Sequence, residues 1–464
     1  MRWVVGVDRR SGQARRLLLG VLLGIAVVVP AVSSAAAGAR LGPIVRVTTP
    51  GMAGCHSESE TAVAATAAGT WVAYNDVGAC QVADNVLGQH ITHLQLLPAG
   101  GGPARLVTLP ALELTWGYLG DPALAADVDG AGVVLASLAV SSAKPQAGIK
   151  GFATGTVRLE VLRVSADGTA RRLPGASGPV PFDDKEAVAV DRGAHSPRRG
   201  WVYVVWDDTA DNQVSLRAFD GRRWLPMQQV SSGAGGHPDV SVGPTGAVAV
   251  AYEVPTGVEV RVADAAHLVL GRPGLAIAGP SPGHVDPSCP LINSVGVRQR
   301  VIRSPRLAWD TTGRLHLVAA IGIPLSIGAA AVSGVDATVV HAVSGDGGRA
   351  WRQAALTEQT SWAPAIAALP GGDVAIGYLQ LADSAGRTFT AHVWHSGTGS
   401  VELSQGPAAL SVGSETTGTN YCYGLGDYSG LAARRGDVAY AWASTAGAEE
   451  PVYDSDVLVR RVSW

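Results

Sequence analysis

The stretch Pro238–Tyr252 reads PDVSVGPTGAVAVAY. It is an alternating apolar strand, a turn at Gly243-Pro244-Thr245-Gly246, and a second apolar strand ending in tyrosine. Alternation with a period of two over short runs bounded by Gly and Pro is the pattern of a β-hairpin with one buried face. The same phrase occurs six more times: Thr61–Ala65 with Gly69–Tyr74, Pro122–Ala126 with Gly132–Ser137, and Glu186–Val190 with Gly200–Trp206. Then come Pro305–Trp309 with Gly313–Ala319, Pro364–Ala368 with Gly372–Tyr378, and Ser429–Ala433 with Gly436–Trp442. Successive turn glycines are 63, 68, 46, 67, 59 and 64 residues apart. Such a period marks stacked or radially repeated units.

A second pair of strands follows most of these hairpins. Val157–Val164 leads through Ser165-Ala166-Asp167-Gly168 to Ala170–Leu173, and Val214–Phe219 through Asp220-Gly221 to Trp224–Val230. Thr338–Val343 leads through Ser344-Gly345-Asp346-Gly347-Gly348 to Trp351. Each unit is therefore a four-stranded antiparallel meander, and seven of them predict an all-β, seven-bladed β-propeller, with six blades as the alternative. The last unit stops after Asp456–Val462, while the orphan run Pro43–Thr48 stands at the other end of the chain. Pairing the two closes the ring and removes its exposed edges.

Outside the repeats, Arg9, Arg10, Arg15 and Arg16 precede an apolar run from Leu17 to Val32 and the small residues Ser33–Ala37. That order predicts a secretory signal peptide over residues 1–39, with a single propeller domain over 40–464. The expectation is a secreted, extracellular, monomeric protein with no membrane span after processing. Charged residues make up only 16%, against 59 Gly and 27 Pro, a balance that suits many short strands and tight turns. A net charge of −3 without a basic stripe gives no reason to expect a nucleic-acid partner, and none is expected. Cys55, Cys80, Cys289 and Cys422 form an even set, as disulfides in an exported chain would require. Of the three pairings, Cys55–Cys80 with Cys289–Cys422 is preferred.

The segment Ser344-Gly345-Asp346-Gly347-Gly348-Arg349-Ala350-Trp351 matches the Asp-box, Ser-x-Asp-x-Gly-x-x-Trp, and so resembles bacterial sialidases and related secreted propellers. Degenerate copies stand at Ser165–Gly168 and Asp220–Trp224, and the phrases around Asp183–Glu186 and Gly426–Leu431 look similar. The box itself is expected to be structural: its Asp accepts backbone N–H bonds, its Gly takes a positive φ, and its Trp packs on the blade. The resemblance implies a propeller that acts on or binds extracellular glycans or glycoconjugates. It further implies three arginines for a substrate carboxylate, a Tyr–Glu nucleophile and an Asp acid/base. The Phe/Tyr-Arg-Ile-Pro motif of that family is absent here. Arg306, with Arg298, Arg300 and Arg303 before it, would have to supply the arginines, and Glu415 with Tyr421, Tyr423 or Tyr428 the nucleophile.

Residues that open the first strand of each unit converge on one mouth of the central channel. They are Glu58, Glu60, Asp121, Asp183, Asp184, Lys185, Glu186, His237, Asp239, Arg306, Trp362, Asp427 and Tyr428. Glycoside hydrolysis needs two carboxyl groups, one protonated and one ionised. Asp184, Asp427, Tyr428 and Glu60 are the catalytic candidates; Arg306, Trp362, His237, Asp121 and Lys185 are the substrate-binding ones, with Trp362 stacking on a sugar face. No resident metal or other cofactor is expected, although Asp183 with Asp184, or Asp207, Asp208 and Asp211, would suit a structural Ca²⁺. The spacing fits no EF-hand loop, and the histidines show no zinc spacing. The function classes in view are a glycoside hydrolase, a non-catalytic propeller that binds glycan or protein, and a polysaccharide lyase using His237 or Tyr428 as base with Arg306.

Overall fold

The computed structural model describes residues 38–47, 56–78, 91–113, 116–141, 146–149, 152–154, 157–174, 183–208, 213–280, 302–322, 337–382, 388–409, 426–445 and 455–464. The signal-peptide segment up to residue 37 and all four cysteines lie outside these residues, as do Asp211, Arg298, Arg300, Glu415, Tyr421 and Tyr423.

Seven antiparallel sheets form seven blades, not six. Their first strands are His56–Ala65, Trp116–Ala126, Asp183–Val190, Gly236–Val242, Arg306–Trp309, Ser361–Ala368 and Gly430–Arg434. Within blades 1 to 6 the next strands follow outward in chain order, and the first strands of consecutive blades lie against one another around the axis. Blade 6 gains a short extra strand, Ala408–Ala409, beside Thr388–His395. A separate hairpin, Gln146–Ile149 with Phe152–Thr154, is inserted between the second and third strands of blade 2. The fourth strand of blade 3 shrinks to Gln228–Gln229, with Trp224 joined to Phe219 by a single bridge.

Closure follows the arithmetic of the repeats. Arg40–Arg46 pairs antiparallel with Asp456–Ser463 and completes blade 7. Pro43 is tolerated there because the strand is outermost and its register jumps between Leu41 and Ile44, so no ladder donor is lost. Arg46 Nη2 reaches Asp456 at 2.5 Å, and Val47 N donates to Val457 O at 3.0 Å. Blade 7 is tied to blade 1 by Thr61 Oγ1 donating to Ala441 O at 2.9 Å and by Val457 N donating to Glu58 Oε2 at 3.0 Å.

Every strand face must be buried against a neighbouring blade, and the core is accordingly divided. Among the described residues there are seven hydrophobic clusters, each centred on one blade junction, including the 7–1 junction with Val72, Tyr74, Val457 and Val459. The aromatic residues that recur toward the far end of the second strands (Tyr74, Trp206, Tyr252, Trp442) are almost wholly buried, which explains why that position recurs as Tyr or Trp. Truncating one of them leaves a cavity worth about 3–5 kcal/mol.

The Ser344–Trp351 turn behaves as its residues predict. Asp346 Oδ1 accepts Arg349 N and Ala350 N, both at 3.0 Å, Gly347 and Gly348 take φ of 76° and 87°, and Trp351 packs on the cluster between blades 4 and 5. Among the described residues no helix is long and apolar enough to cross a membrane.

Candidate functional site

The first strands do not run straight into the channel. Their pairing with the second strands jumps register between Ser59 and Ala62, Gly120 and Ala123, Asp184 and Ala187, Gly236 and Asp239, and Trp362 and Ala365. At each jump one non-glycine residue takes a left-handed backbone: Glu60 (54°), Asp121 (51°), Lys185 (51°), His237 (46°) and Ala363 (49°), with Ser304 (41°) at the same place in blade 5. A residue held there carries about 1–3 kcal/mol of strain. Bulges re-aim side chains, so neighbours that would alternate between faces can share one. Lys185 and Glu186 accordingly line the same cavity.

Three of these strained positions, Glu60, Asp121 and Lys185, bear ionisable groups that meet, and Asp427 joins them. Lys185 Nζ, almost buried, lies 2.8 Å from Asp121 Oδ2, 2.9 Å from Asp427 Oδ2 and 3.1 Å from Glu60 Oε1. One ammonium from blade 3 thus holds carboxylates from blades 1, 2 and 7. Asn75 completes the set, donating from Nδ2 to Glu60 Oε2 (2.7 Å) and accepting Asp121 N at Oδ1 (2.9 Å). Gly426, with φ 85°, lets Asp427 approach: a Cβ there would stand 2.7 Å from Glu60 N. Among the described residues no group of His, Cys, Asp or Glu is arranged to hold a metal ion. Where three carboxylates converge, Lys185 Nζ occupies the place a cation would take.

Beside this cluster lies a narrow cavity lined by Lys185, Glu186, His237, Pro238, Ile302, Ser304, Arg306 and Tyr428. The Tyr428 ring sits between two cations, with Arg306 Cζ 5.0 Å and Lys185 Nζ 5.6 Å from its centroid. Burial, and the charges of Asp121 and Glu60, push the Tyr428 hydroxyl well above its ordinary range, so it stays a phenol. His237 Nδ1 lies 3.3 Å from Glu253 Oε1, which also accepts Ser304 N at 3.1 Å. Burial works to raise Glu253, but His237, Arg303 and that N–H outweigh it and hold the carboxylate below its usual range.

Three carboxyl groups go the other way. Glu186 is 6% exposed, and neither of its side-chain oxygens has a hydrogen-bond partner. Burial first, then the charges of Asp121 and Asp184, raise it well above the usual carboxylate range; its own backbone N–H and, less so, Lys185 only partly oppose them. A carboxyl group so placed favours its neutral form. Burial raises Asp207 to about 6, and its Oδ1 is a buried atom without a partner. Asp239 is raised to about 6 by burial against the pull of Arg306, whose Nη1 is 3.7 Å away.

The structure therefore brings together Glu60, Asp121, Lys185, His237, Arg306, Asp427 and Tyr428, and it places Asp184 next to them through its bond from Lys185 N to Oδ1 (2.9 Å). It separates Trp362. That ring is 2% exposed and packs on Phe389 in the cluster between blades 6 and 7, so no face is open for a sugar. Arg303 is no substrate clamp either, since its guanidinium donates to Val254 O (2.6 Å), Gly279 O (2.9 Å) and Pro255 O (3.2 Å). Among the described residues the three-arginine arrangement of sialidases is not assembled. Sequence reading did not name Glu253, and it placed Asp207 among possible Ca²⁺ ligands and Glu186 at the mouth without giving either a catalytic or substrate-binding role. An acidic residue directly after a strand-opening lysine was the available signal.

No protein-family model matches the chain, and a search of curated proteins finds no match. Solved structures do resemble it. An ulvan lyase from a new polysaccharide lyase family has a TM-score of 0.47 at 12% identity, with 87% of this chain and 93% of that one covered. An α-L-arabinanase of Penicillium chrysogenum, complexed with arabinobiose, has 0.41 at 11%, covering 73% and 92%. A hydrazine synthase of Kuenenia stuttgartiensis has 0.42 at 10%, covering 74% and 78%.

Proposed function

We propose that the chain is an exported propeller that binds and hydrolyses extracellular glycans at this channel mouth. The observation that carries the reading is Glu186, a buried carboxylic acid without a protein partner, facing the cavity beside ionised carboxylates. Pairs of titratable groups whose surroundings drive them apart are how one site supplies an acid and a base together. Glu186 would protonate the departing glycosidic oxygen, and Asp184, whose charge reaches it, would act as the second carboxylate. Asp427 and Glu60 act at one remove, holding Lys185 and through it the strained strand openings. Tyr428 and Arg306 form one wall, and His237, oriented by Glu253, forms another.

The test is a panel of fluorogenic glycosides covering neutral, amino and sialyl sugars. Wild-type turnover on one of them should fall about 10²–10⁴-fold in Glu186→Gln and in Asp184→Asn, with the fold unchanged. Unaltered turnover in both variants would end the reading. A second reading, a non-catalytic glycan-binding propeller, is favoured by one specific fact: Lys185 engages three of the carboxylates that could react. Inertness across the panel, with retained binding to a glycan array, would establish it.

A further inference from the structure

We infer that the channel-mouth pocket selects sugars bearing a free amino group and rejects anionic ones. The inference deepens the glycan reading and rests on it only in taking the ligand to be a sugar.

The argument is one of charge and of unmet hydrogen bonds. The cations at the mouth are engaged: Lys185 by three carboxylates, Arg303 by three carbonyls and Glu253, and Arg306 faces Asp239. Among the described residues, Glu60, Asp121, Asp427, Asp184 and Glu253 outnumber Lys185, Arg303, Arg306 and His237, so the described part of the mouth is acidic before Asp207 and Asp239 are counted. An incoming carboxylate or sulfate would meet that field in a partly desolvated cleft, where like charges repel far more than in water. A buried carboxyl with neither oxygen bonded is destabilised until a donor reaches it. Glu186 is such a group, more than nine-tenths buried and on the cavity wall. One strand back, Asp207 holds another unpartnered oxygen.

An ammonium group supplies both the donor and the positive charge. The groups that face Glu186 are Asp121, Asp184, Lys185 and Tyr428. When the ammonium docks, Glu186 loses its proton to solvent and the new ion pair replaces the neutral acid, so mass and charge balance; an amino sugar held this way occupies the site as a competitor and is not cleaved while Glu186 is ionised. Binding is therefore coupled to proton release and tightens as pH rises, until the ligand amine itself deprotonates.

The experiment is calorimetric titration of the full chain with a glucosamine oligomer, its N-acetylated counterpart and a galacturonate oligomer, in buffers of different ionisation enthalpy. A simple diamine serves as a competitor. Expected are binding of the glucosamine oligomer at least about tenfold tighter than of the acetylated one, no galacturonate binding, and a proton released only by the amino ligand. Glu186→Gln, an isostere of the neutral acid, should remove the proton release and the tenfold preference, and Asp207→Asn should weaken the preference. Galacturonate binding best, equal binding of amino and acetylated oligomers, or no binding by either amine probe would overturn the inference. If the diamine binds and no sugar does, the amine selectivity stands and the glycan reading fails.

Discussion

The hairpin turns and the channel mouth use the same carboxyl group to opposite ends. In the turns, Asp346, Asp220 and Asp264 each accept two successive backbone N–H groups, at 3.0 and 3.0 Å, 2.8 and 2.8 Å, and 2.6 and 2.9 Å. Those bonds hold all three below the ordinary Asp range in open solvent. At the mouth burial outweighs the donors: Asp239 is raised although it accepts Leu307 N at 2.6 Å, Asp207 is raised although the His237 backbone N–H reaches it, and Glu186 is raised with neither oxygen partnered. A propeller repeats its turns because they build the blade, whereas unsatisfied acids persist only where something outside the fold completes them. The contrast separates scaffold from site without reference to any relative.

The largest effect should come from the group that holds the mouth together. Lys185→Ala leaves Glu60, Asp121 and Asp427 buried and uncompensated, and should lower unfolding free energy by about 3–5 kcal/mol in denaturant titration. Because those carboxylates then surround an empty place, millimolar Ca²⁺ should raise the melting temperature of this variant and leave the wild type unchanged. A loss below about 1 kcal/mol would mean that the three carboxylates are solvated and the cluster is not built as described.

A smaller, pH-dependent effect belongs to the ring seam, which sharpens the contrast with a buried acid that does have a donor. Glu58 accepts Val457 N, yet burial, with Asp76 and Asp456 nearby, raises it from 4.5 to about 9. Its folded value exceeds its unfolded one. The stability it contributes is thus complete below 4.5 and is lost as pH climbs toward 9. Melting temperature measured from about pH 5 to about pH 9 should decline, and Glu58→Gln should flatten that decline. An equal slope in wild type and variant would assign the decline to other groups.

The architecture was legible because a repeat announces itself: hairpin glycines, terminal aromatics and one spare strand left only a closed ring. Lys185 could also be read, as one of just three lysines in a chain that otherwise uses arginine. Its partners were legible only as a list, because which strand openings meet depends on bulges that alternate patterning cannot reveal. Trp362 shows the limit. One residue before the left-handed Ala363, it turns into the blade, whereas Lys185, at the left-handed position of its own strand, turns to the channel. Glu186 could be placed at the mouth but given no role there, since strict alternation assigns it to the face opposite Lys185.

The smallest effect is reserved for the turns. Asp346→Ala removes a satisfied, exposed carboxylate and should cause only a slight loss of thermal stability, with ligand affinity and turnover unchanged. A change in either would break the division between turn and mouth.

The most direct test of that division is the ionisation state of Glu186. An infrared difference spectrum between wild type and Glu186→Gln at neutral pH should contain the carbonyl band of a protonated carboxylic acid, shifted on deuteration and lost when an amino ligand binds. A carboxylate band in its place would show that Glu186 is ionised and solvated like the turn aspartates, and the channel mouth would lose its claim to be the functional site.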